Sequence, residues 1–180
     1  AKLLAGAERV VVLAGLGAVE AGAGSACRAL AAKTGGLLMT TLPARGLFHD
    51  DPFCLGISGS YTPEVGLELL KEADLVVAVG CSLAYHAGGG GQLWPKAKML
   101  QIDIDPVAVS QGQEVARHHL RADARLGAEA LTAALPLRKA TWRSDAMAAR
   151  IRDTKPDSQV FKIEQGLLDP RDVVEALEKS

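Results

Sequence analysis

Two uninterrupted apolar runs, each ending at a turn, limit the folds that are open to this chain. Residues 73–80 read ADLVVAVG, and residues 98–106 read KMLQIDIDP, with Asp103 and Asp105 near the end of the second run. Apolar runs of about four to eight residues without polar alternation are typical of strands buried on both faces of a parallel sheet. The carboxyl ends of such strands face a ligand crevice, where a carboxylate can reach a ribose or a cation. The two runs therefore predict a parallel sheet of the nucleotide-binding type.

Strands and helices alternate along the rest of the chain as far as residue 136. Further strands are predicted at residues 9–14, 37–41, 54–57 and 118–122, and helices at residues 21–33, 63–72 and 124–135. Thr62 is expected to cap the helix that begins at Pro63, and residues 106–109 are expected to form one helical turn. The alternation predicts an α/β domain with a parallel sheet of about six strands and helices on both of its faces.

Composition and charge exclude several classes of function. The chain of 180 residues has a formal net charge of −1 and no basic stripe. Because nucleic-acid binding depends on Lys and Arg that neutralise phosphates, we expect no nucleic-acid partner. No apolar run reaches the roughly 20 residues of a membrane span, and no signal peptide is recognisable, so we expect no membrane association and a cytoplasmic location.

Signals for metal binding and nucleophilic catalysis are weak. Cys27, Cys54 and Cys81 form no CxxC pair, so neither a zinc site nor a disulfide framework is indicated, and Cys81 is interpreted as a small buried residue. His118 and His119 are adjacent on a predicted strand and point to opposite faces, which disfavours a shared metal. Residues 49–52 (HDDP) are interpreted as a turn. We expect neither a catalytic residue nor a metal site.

Two glycine-rich turns leave alternatives open. Gly15-Leu16-Gly17 follows the first strand, but Glu20 stands at the third position of a GxGxxG fingerprint, and the second strand ends without the acidic residue that holds an NAD ribose. An ordinary tight turn explains this pair of glycines as well as a ligand site does. The four glycines of residues 88–91 either let backbone amides approach an anion or form a mobile loop.

The composition changes after Pro136. Residues 137–165 are rich in charged and polar residues, with one helix expected at residues 142–152, and are interpreted as an interdomain linker. Asp169 as N-cap and Pro170 at the first helical position predict another helix. We expect the chain to be a segment of a larger protein, with one domain at residues 1–136 and the start of another at residues 166–180.

The order of four stretches resembles the central domain of the thiamine-diphosphate-dependent 2-oxo-acid enzymes. This family includes acetolactate synthases, pyruvate oxidases, oxalyl-CoA decarboxylases and benzoylformate decarboxylases. The stretches are residues 10–17 (VVVLAGLG), 40–59 (TTLPARGLFHDDPFCLGISG), 73–83 (ADLVVAVGCSL) and 101–106 (QIDIDP), followed by residues 120–123 (LRAD) at the family's short last strand. The resemblance covers about residues 5–135 and implies a three-layer, Rossmann-like (DHS-like NAD/FAD-binding) fold.

By this resemblance, the parent enzyme has three domains and is a homodimer or homotetramer. The missing pyrimidine- and diphosphate-binding domains hold thiamine diphosphate and Mg²⁺, and residues 166–180 resemble the start of the diphosphate-binding domain. This chain has neither the family's GDG…N motif nor its activating glutamate, which belongs to the first domain. The carbanion chemistry of the cofactor is therefore assigned to the other domains, and this chain is interpreted as non-catalytic.

Some members of the family hold FAD or ADP in this domain, at the carboxyl ends of the strands. The resemblance places the contacts at Gly15, Gly17, Thr41, Leu42, Leu55, Gly56, Ser58, Gly80, Ser82, His86, Asp103, Ile104 and Asp123. Asp103 also suits the role physically, because a carboxylate at a strand end can accept hydrogen bonds from two ribose hydroxyls. Ser82 and His86 stand in the loop where FAD-binding relatives tend to carry arginines, which leaves backbone amides to hold a diphosphate.

The alternative is a stand-alone dinucleotide-binding protein, either a flavin electron-transfer domain or a sirtuin-like deacylase, built on a similar sheet. It calls for a complete glycine fingerprint, and a deacylase also calls for a catalytic His beside an NAD pocket. Neither signal is recognisable in the sequence. Turnover of NAD by the chain alone would favour this alternative.

Overall fold

A six-stranded, all-parallel sheet forms the centre of the computed structural model, which describes residues 2–110, 113–136 and 142–180. The strands are β1 (Val10–Ala14), β2 (Leu37–Thr40), β3 (Cys54–Ile57), β4 (Leu75–Val79), β5 (Lys98–Asp103), β6 (Val109–Ser110), β7 (Gln113–Glu114) and β8 (His118–Arg121). The sheet order is β3-β2-β1-β4-β5-β8, and β6 and β7 form a separate antiparallel pair. The predicted parallel α/β sheet of about six strands is confirmed.

Helices cover both faces of this sheet. They are α1 (Lys2–Ala5), α2 (Leu16–Glu20), α3 (Gly24–Thr34), α4 (Glu64–Glu72), α5 (Tyr85–Gly88), α6 (Ala124–Ala133), α7 (Asp145–Asp153) and α8 (Pro170–Glu178), with 3₁₀ turns at Leu42–Ala44 and Gly89–Gly91. Within the part of the chain that the structure describes, none of the helices combines the length and apolarity needed to cross a bilayer.

The central strands owe their position to apolar side chains on both faces. Every residue of β1 and of β4 is buried. Val10, Val12 and Ala14 of β1 contribute to one apolar cluster with α3 and α6, whereas Val11 and Leu13 contribute to a second cluster with α4. Small residues on α3 and α6 let these two helices pack closely together on the sheet. The few aromatic residues of the chain are consistent with this close packing, because small side chains fill the space between the helices and the sheet.

Three local predictions are wrong, each for an identifiable reason. The helix predicted at residues 21–33 begins three residues later, at Gly24, because Gly22 takes a positive φ of 62° in the turn between α2 and α3. Thr62 does not cap α4: its hydroxyl donates to the Gly59 carbonyl at 2.7 Å and accepts from the Gly59 amide at 2.9 Å. Residues 106–109 are not helical, since the Val107 amide donates to the buried side chain of Gln101 at 2.8 Å and Val109 begins β6.

The segment that follows α6 returns to the body of the domain. Trp142 is 7% exposed and joins the second apolar cluster, against which Met147 and Ile151 of α7 also pack. Ser144 caps α7, so this helix begins later than predicted. Residues 137–141 of the predicted linker lie outside the described residues. The predicted helix after Asp169 is confirmed as α8, and the Asp169 carboxylate accepts from the Arg171 amide at 2.9 Å.

Candidate functional site

A crevice of about 950 Å³ opens at the carboxyl ends of the strands. Its walls come from the turns that follow β1, β2, β4 and β5, together with residues after β3 and β8. The sheet runs from β1 to β2 and β3 on one side, and to β4, β5 and β8 on the other. The crevice therefore lies where the direction of the strand order reverses, which is the usual ligand position in open α/β sheets.

Eleven of the thirteen predicted cofactor-contact positions lie together in this crevice. Its lining includes Gly15, Gly17, Thr41, Leu42, Ser58, Gly80, Ser82, His86, Asp103, Ile104 and Asp123. Gly56 is outside the lining and faces Pro63, and Leu55, named with it, is buried in the apolar core. Ligand contact by any of these residues stays a prediction.

Glycine is required at Gly15, Gly17 and Gly80 because the turns after β1 and β4 approach each other closely there. The Gly15 amide donates to the Val79 carbonyl and the Gly17 amide to the Gly80 carbonyl, both at 2.9 Å. A Cβ atom on Gly15 would lie 2.3 Å from the Gly80 carbonyl oxygen. Gly80 has a φ of +54°, and its own Cβ would lie 2.3 Å from the Ala18 nitrogen. These glycines join α2 to the end of β4, and the Gly15 and Gly17 amides point at protein carbonyls.

The ionisable groups that line the crevice are mostly acidic. Glu20, Asp103 and Asp123 carry carboxylates, and His86 is the one residue of the lining that can become a cation. The Asp103 carboxylate accepts from the Asp105 amide at 3.1 Å. Asp123 caps α6 by accepting from the Leu126 amide at 3.0 Å. Lys and Arg do not occur in the lining of this crevice among the described residues.

Two arginines lie beside the crevice without lining it, and we call them the rim arginines. Arg45 donates to the Leu42 carbonyl at 3.5 Å. Arg121 donates to the Ile104 carbonyl at 2.9 Å and lies 3.8 Å from the Asp105 carboxylate. Sequence reasoning missed both, since neither belongs to a glycine-rich or acidic motif.

Two buried hydroxyls in the walls differ in their partners. Ser58 is 3% exposed and donates to the Ala87 carbonyl at 2.6 Å, which ties the turn after β3 to α5. Thr41 is 7% exposed, and its amide donates to the Ala14 carbonyl at 2.9 Å. Its hydroxyl has no hydrogen-bond partner among the residues that the structure describes.

The Gln101 side chain connects two turns of the crevice by hydrogen bonds, a role that its predicted place within a strand did not indicate. This side chain is completely buried. Its amide nitrogen donates to the Cys81 carbonyl at 3.0 Å, and its oxygen accepts from the Val107 amide. It thus fixes the turns after β4 and β5 relative to each other. A lone amide in an otherwise apolar run was the available signal.

Several other lining residues were not anticipated. They are Leu16, Glu20, Ala21, Pro43, Ser60, Tyr61, Cys81, Ala84, Ala87 and Ala124. Tyr61 is the aromatic residue of the lining and is 66% exposed. Half of them are next to a predicted contact in the chain, but no residue pattern distinguishes them from ordinary loop positions.

Cys27 and Cys81 are buried thiols, in agreement with the interpretation of Cys81, and Cys54 is partly buried. Burial raises the pKa of Cys81 to about 11 and that of Cys27 to about 12. Burial also raises the pKa of Cys54. Because the thiolate is the nucleophilic form, Cys81 is unsuited to nucleophilic chemistry at neutral pH, although it borders the crevice.

The remaining motifs have structural explanations. Asp51 of the HDDP turn pairs with Arg28 and with Arg143, each at 3.1 Å. Gly88 makes room for an indole, since a Cβ there would lie 2.3 Å from Cη2 of Trp94. The glycines of residues 88–91 do not line the crevice. Within residues 2–110, 113–136 and 142–180, no group of three or more His, Cys, Asp or Glu could hold a metal ion.

Known proteins share this domain. The chain is 34% identical over 113 residues to a probable acetolactate synthase large subunit of Methanocaldococcus jannaschii, covering 62% of this chain and 19% of that protein. It is 36% identical over 137 residues to a probable 2-ketoarginine decarboxylase of Pseudomonas aeruginosa, covering 76% and 24%. An acetolactate synthase of Mycobacterium avium is 33% identical over 115 residues, covering 63% and 18%. The chain thus spans about a fifth to a quarter of these relatives.

A family model extends over most of the chain. Residues 1–132 match the model described as the central domain of thiamine pyrophosphate enzymes. This match includes all six strands of the parallel sheet and every residue that lines the crevice. The chain therefore belongs to the family of thiamine pyrophosphate enzyme central domains.

Proposed function

We propose that this chain is the non-catalytic central domain of a thiamine-diphosphate-dependent 2-oxo-acid enzyme of the acetolactate synthase-like kind, a transferase, lyase or decarboxylase. The observation that carries the proposal is the family match over residues 1–132, together with relatives named as acetolactate synthases and as a decarboxylase. In such a parent, the domain positions its two neighbours, which bind the cofactor's pyrimidine and diphosphate. The parent is proposed to be a cytoplasmic homodimer or homotetramer.

The chemistry of the described side chains supports a positioning role. Thiamine diphosphate supplies carbanion stabilisation when it is bound, and Mg²⁺ is proposed to bind with it in the neighbouring domains. In the crevice of this chain, burial raises the pKa of the Cys81 thiol, which is therefore neutral at pH 7. The Ser58 hydroxyl donates its hydrogen bond to the Ala87 carbonyl. Asp123 is engaged in capping α6. These groups act in the packing of the domain.

FAD or ADP is a second candidate, as a ligand of this domain, and Asp103 at the end of β5 is the observation that favours it. The ribose half of such a ligand fits, because this carboxylate keeps lone pairs free for hydroxyl donors. The diphosphate half does not fit the lining. The Gly15 and Gly17 amides donate to protein carbonyls, and the lining charges are mostly negative.

The test of the central-domain proposal is an assay for turnover. The purified chain is incubated with thiamine diphosphate, Mg²⁺ and pyruvate, and CO₂ release and acetolactate formation are measured beside a complete acetolactate synthase. We expect neither product from the chain, and no calorimetric signal with thiamine diphosphate and Mg²⁺. Product formation by the chain alone would overturn the proposal.

The stand-alone dinucleotide-binding protein gains no comparable support. Its glycine fingerprint is incomplete, and the first-turn glycines serve close packing of α2 on β4. Hydrolysis of NAD by the purified chain, measured by release of nicotinamide, is the result that would favour the sirtuin-like form of this alternative.

A further inference from the structure

We propose that the crevice recognises an uncharged nucleoside, a planar heterocycle with a vicinal diol, and discriminates against ligands that carry a diphosphate. This inference rests on the proposed function, since it names the ligand class for the crevice of the central domain. It departs from the usual expectation for open α/β sheets, where a diphosphate sits at the turn after the first strand.

Charge in the lining opposes a diphosphate. Glu20 is the last residue of α2, three residues after Gly17 of the turn where the diphosphate of a dinucleotide is expected. Asp103 and Asp123 line the same crevice. Like charges brought together in a partly desolvated cleft repel each other more strongly than in water. Among the described residues that line the crevice, His86 is the one group that can offset these charges.

The backbone amides at the first turn are already occupied. The Gly15 and Gly17 amides donate to the Val79 and Gly80 carbonyls, both at 2.9 Å. The Ala18 amide donates to the Gly15 carbonyl at 3.0 Å. A diphosphate over this turn would therefore meet the Glu20 carboxylate without these donors to compensate.

Neither rim arginine is among the described residues that line the crevice. Arg45 follows β2 and Arg121 ends β8, and four strand-to-strand intervals separate β2 from β8 in the sheet order. At about 4.8 Å per interval, these strands are roughly 19 Å apart. Arg121 therefore ends a strand that is three intervals away from β1, and it already contacts Asp105 and the Ile104 carbonyl. Arg45 follows the strand next to β1, and its guanidinium donates to the Leu42 carbonyl.

The same lining suits an uncharged nucleoside. One Asp103 oxygen accepts from the Asp105 amide, and the carboxylate retains capacity to accept hydrogen bonds from a diol. The Thr41 hydroxyl, 7% exposed and without a partner in the described part of the chain, offers a further polar contact. Leu16, Leu42 and Tyr61 line the crevice while remaining exposed, so a planar ring would cover apolar surface that water now contacts.

The experiment is a calorimetric titration of the whole chain with adenosine, 2′-deoxyadenosine and ADP, at low and at high salt. We expect saturable adenosine binding, about tenfold weaker binding of 2′-deoxyadenosine because one hydroxyl is lost, and ADP binding at least about tenfold weaker than adenosine. High salt should narrow the gap between ADP and adenosine, since it screens the repulsion.

Variants of single residues test whether the lining carboxylates cause the preference for adenosine over ADP. Glu20→Gln removes one lining carboxylate and should reduce the ratio of adenosine affinity to ADP affinity severalfold. Glu178→Gln makes the same change on α8, outside the lining, and should leave the ratio as it is. Asp103→Asn should weaken adenosine more than 2′-deoxyadenosine, which a merely structural role of this residue would not do.

ADP binding as tight as adenosine binding, or no saturable binding of adenosine, would overturn the inference. Equal effects of Glu20→Gln and Glu178→Gln would also overturn it, because the discrimination would then follow net charge alone. Each of these outcomes leaves the central-domain proposal intact, since that proposal fails only if the chain itself forms product from pyruvate.

Discussion

The glycines between β1 and β4 are required by close contact of two turns, and this requirement can be tested at one residue. Gly15 has φ −103° and ψ −172°, which any residue can adopt, so a substitution there adds contact without backbone strain. We predict that Gly15→Ala lowers the free energy of unfolding by about 1–3 kcal/mol, because its Cβ meets the Gly80 carbonyl oxygen. Urea denaturation measures the change.

Gly6→Ala is the matched control, since a Cβ at Gly6 would lie no closer than 3.7 Å to a neighbouring atom. Its effect should stay within about 0.5 kcal/mol. Equal stability of the two variants would show that the turns after β1 and β4 can separate at little cost.

The buried Cys81 thiol predicts a dependence of stability on pH. Burial raises its pKa from an ordinary value of 9.0 to about 11 in the folded state. Above pH 9 the unfolded chain therefore binds fewer protons than the folded chain, so the free energy of unfolding falls as pH rises from about 9 to about 11. A single group contributes a slope of at most about 1.4 kcal/mol per pH unit.

Urea midpoints across that pH window measure the slope, and Cys81→Ala should give a shallower fall than the unchanged chain. Cys27 and Cys54 still contribute in the variant, because burial raises their pKa values as well. Identical slopes for the two chains would mean that Cys81 is accessible to water in the folded state.

The residues that line the crevice were easier to predict from the sequence than the residues that hold its turns in place. Asp103 and Gly80 stand at the ends of apolar runs, and parallel strands bring their carboxyl ends together, so their proximity followed from the pattern. Ser58 was expected in the crevice because of the family resemblance. Gln101 and the rim arginines could not be placed in this way. Their roles depend on turns that meet only in the folded sheet.

At the scale of elements, the segment that leads into α7 is attached to the body of the domain by a largely buried ion pair between Arg143 and Asp51. Asp51 accepts from Arg143 and Arg28, each at 3.1 Å, and its side chain is 10% exposed. The Arg143 guanidinium also lies over the Phe53 ring, 4.3 Å from its centre. Burial lowers the pKa of Arg143, and the charge of Asp51 opposes this shift. The carboxylate therefore compensates for the desolvation of the arginine.

We predict that Asp51→Asn lowers the free energy of unfolding by about 3 kcal/mol, because it leaves the desolvated Arg143 without its counter-charge. The neighbouring Asp50→Asn is the control: its side chain is 66% exposed and contacts Arg28 alone among the charged residues described, so its loss should be much smaller. Urea denaturation and the near-UV signal of Trp142 report the two effects. Similar losses would mean that the position of α7 depends on Trp142 rather than on the ion pair.

Strands were predicted more reliably than short helices and caps. The buried strands are continuous apolar runs, a pattern that few other structures produce. The break between α2 and α3 depends on the conformation of Gly22, and the path after Asp105 depends on Gln101, which captures the Val107 amide. These local conformations depend on contacts in the folded domain, so the propensity of the local sequence does not predict them.

At the scale of the whole molecule, residues 142–153 contribute to the main body although their composition is that of a linker. Trp142 is buried in the second apolar cluster, and Arg150 pairs with Glu68 of α4 at 2.7 Å. In contrast, α8 has no buried residue. The predicted domain limits at residues 136 and 165 stay predictions, and truncation separates the contributions of the two segments.

A chain that ends at residue 136 should melt about 5–15 °C below the complete chain, because it loses a buried indole and the Asp51–Arg143 pair. A chain that ends at residue 165 should melt close to the complete chain. Thermal unfolding followed by circular dichroism measures both. If the chains that end at residues 136 and 165 had the same melting temperature, residues 142–153 would contribute nothing to stability.

The sheet order has a consequence for how the protein is made. β1 lies at the centre of the sheet, but its residue Val10 pairs with Leu75 of β4, so one side of β1 stays unpaired until that later strand has left the ribosome. At about 5–20 residues per second, this wait lasts several seconds. Throughout that interval one side of β1, a strand made entirely of apolar residues, stays exposed, which is the kind of surface that chaperones shield. The central position of β1 thus makes the strand that emerges first among the six of this sheet dependent on protection during translation.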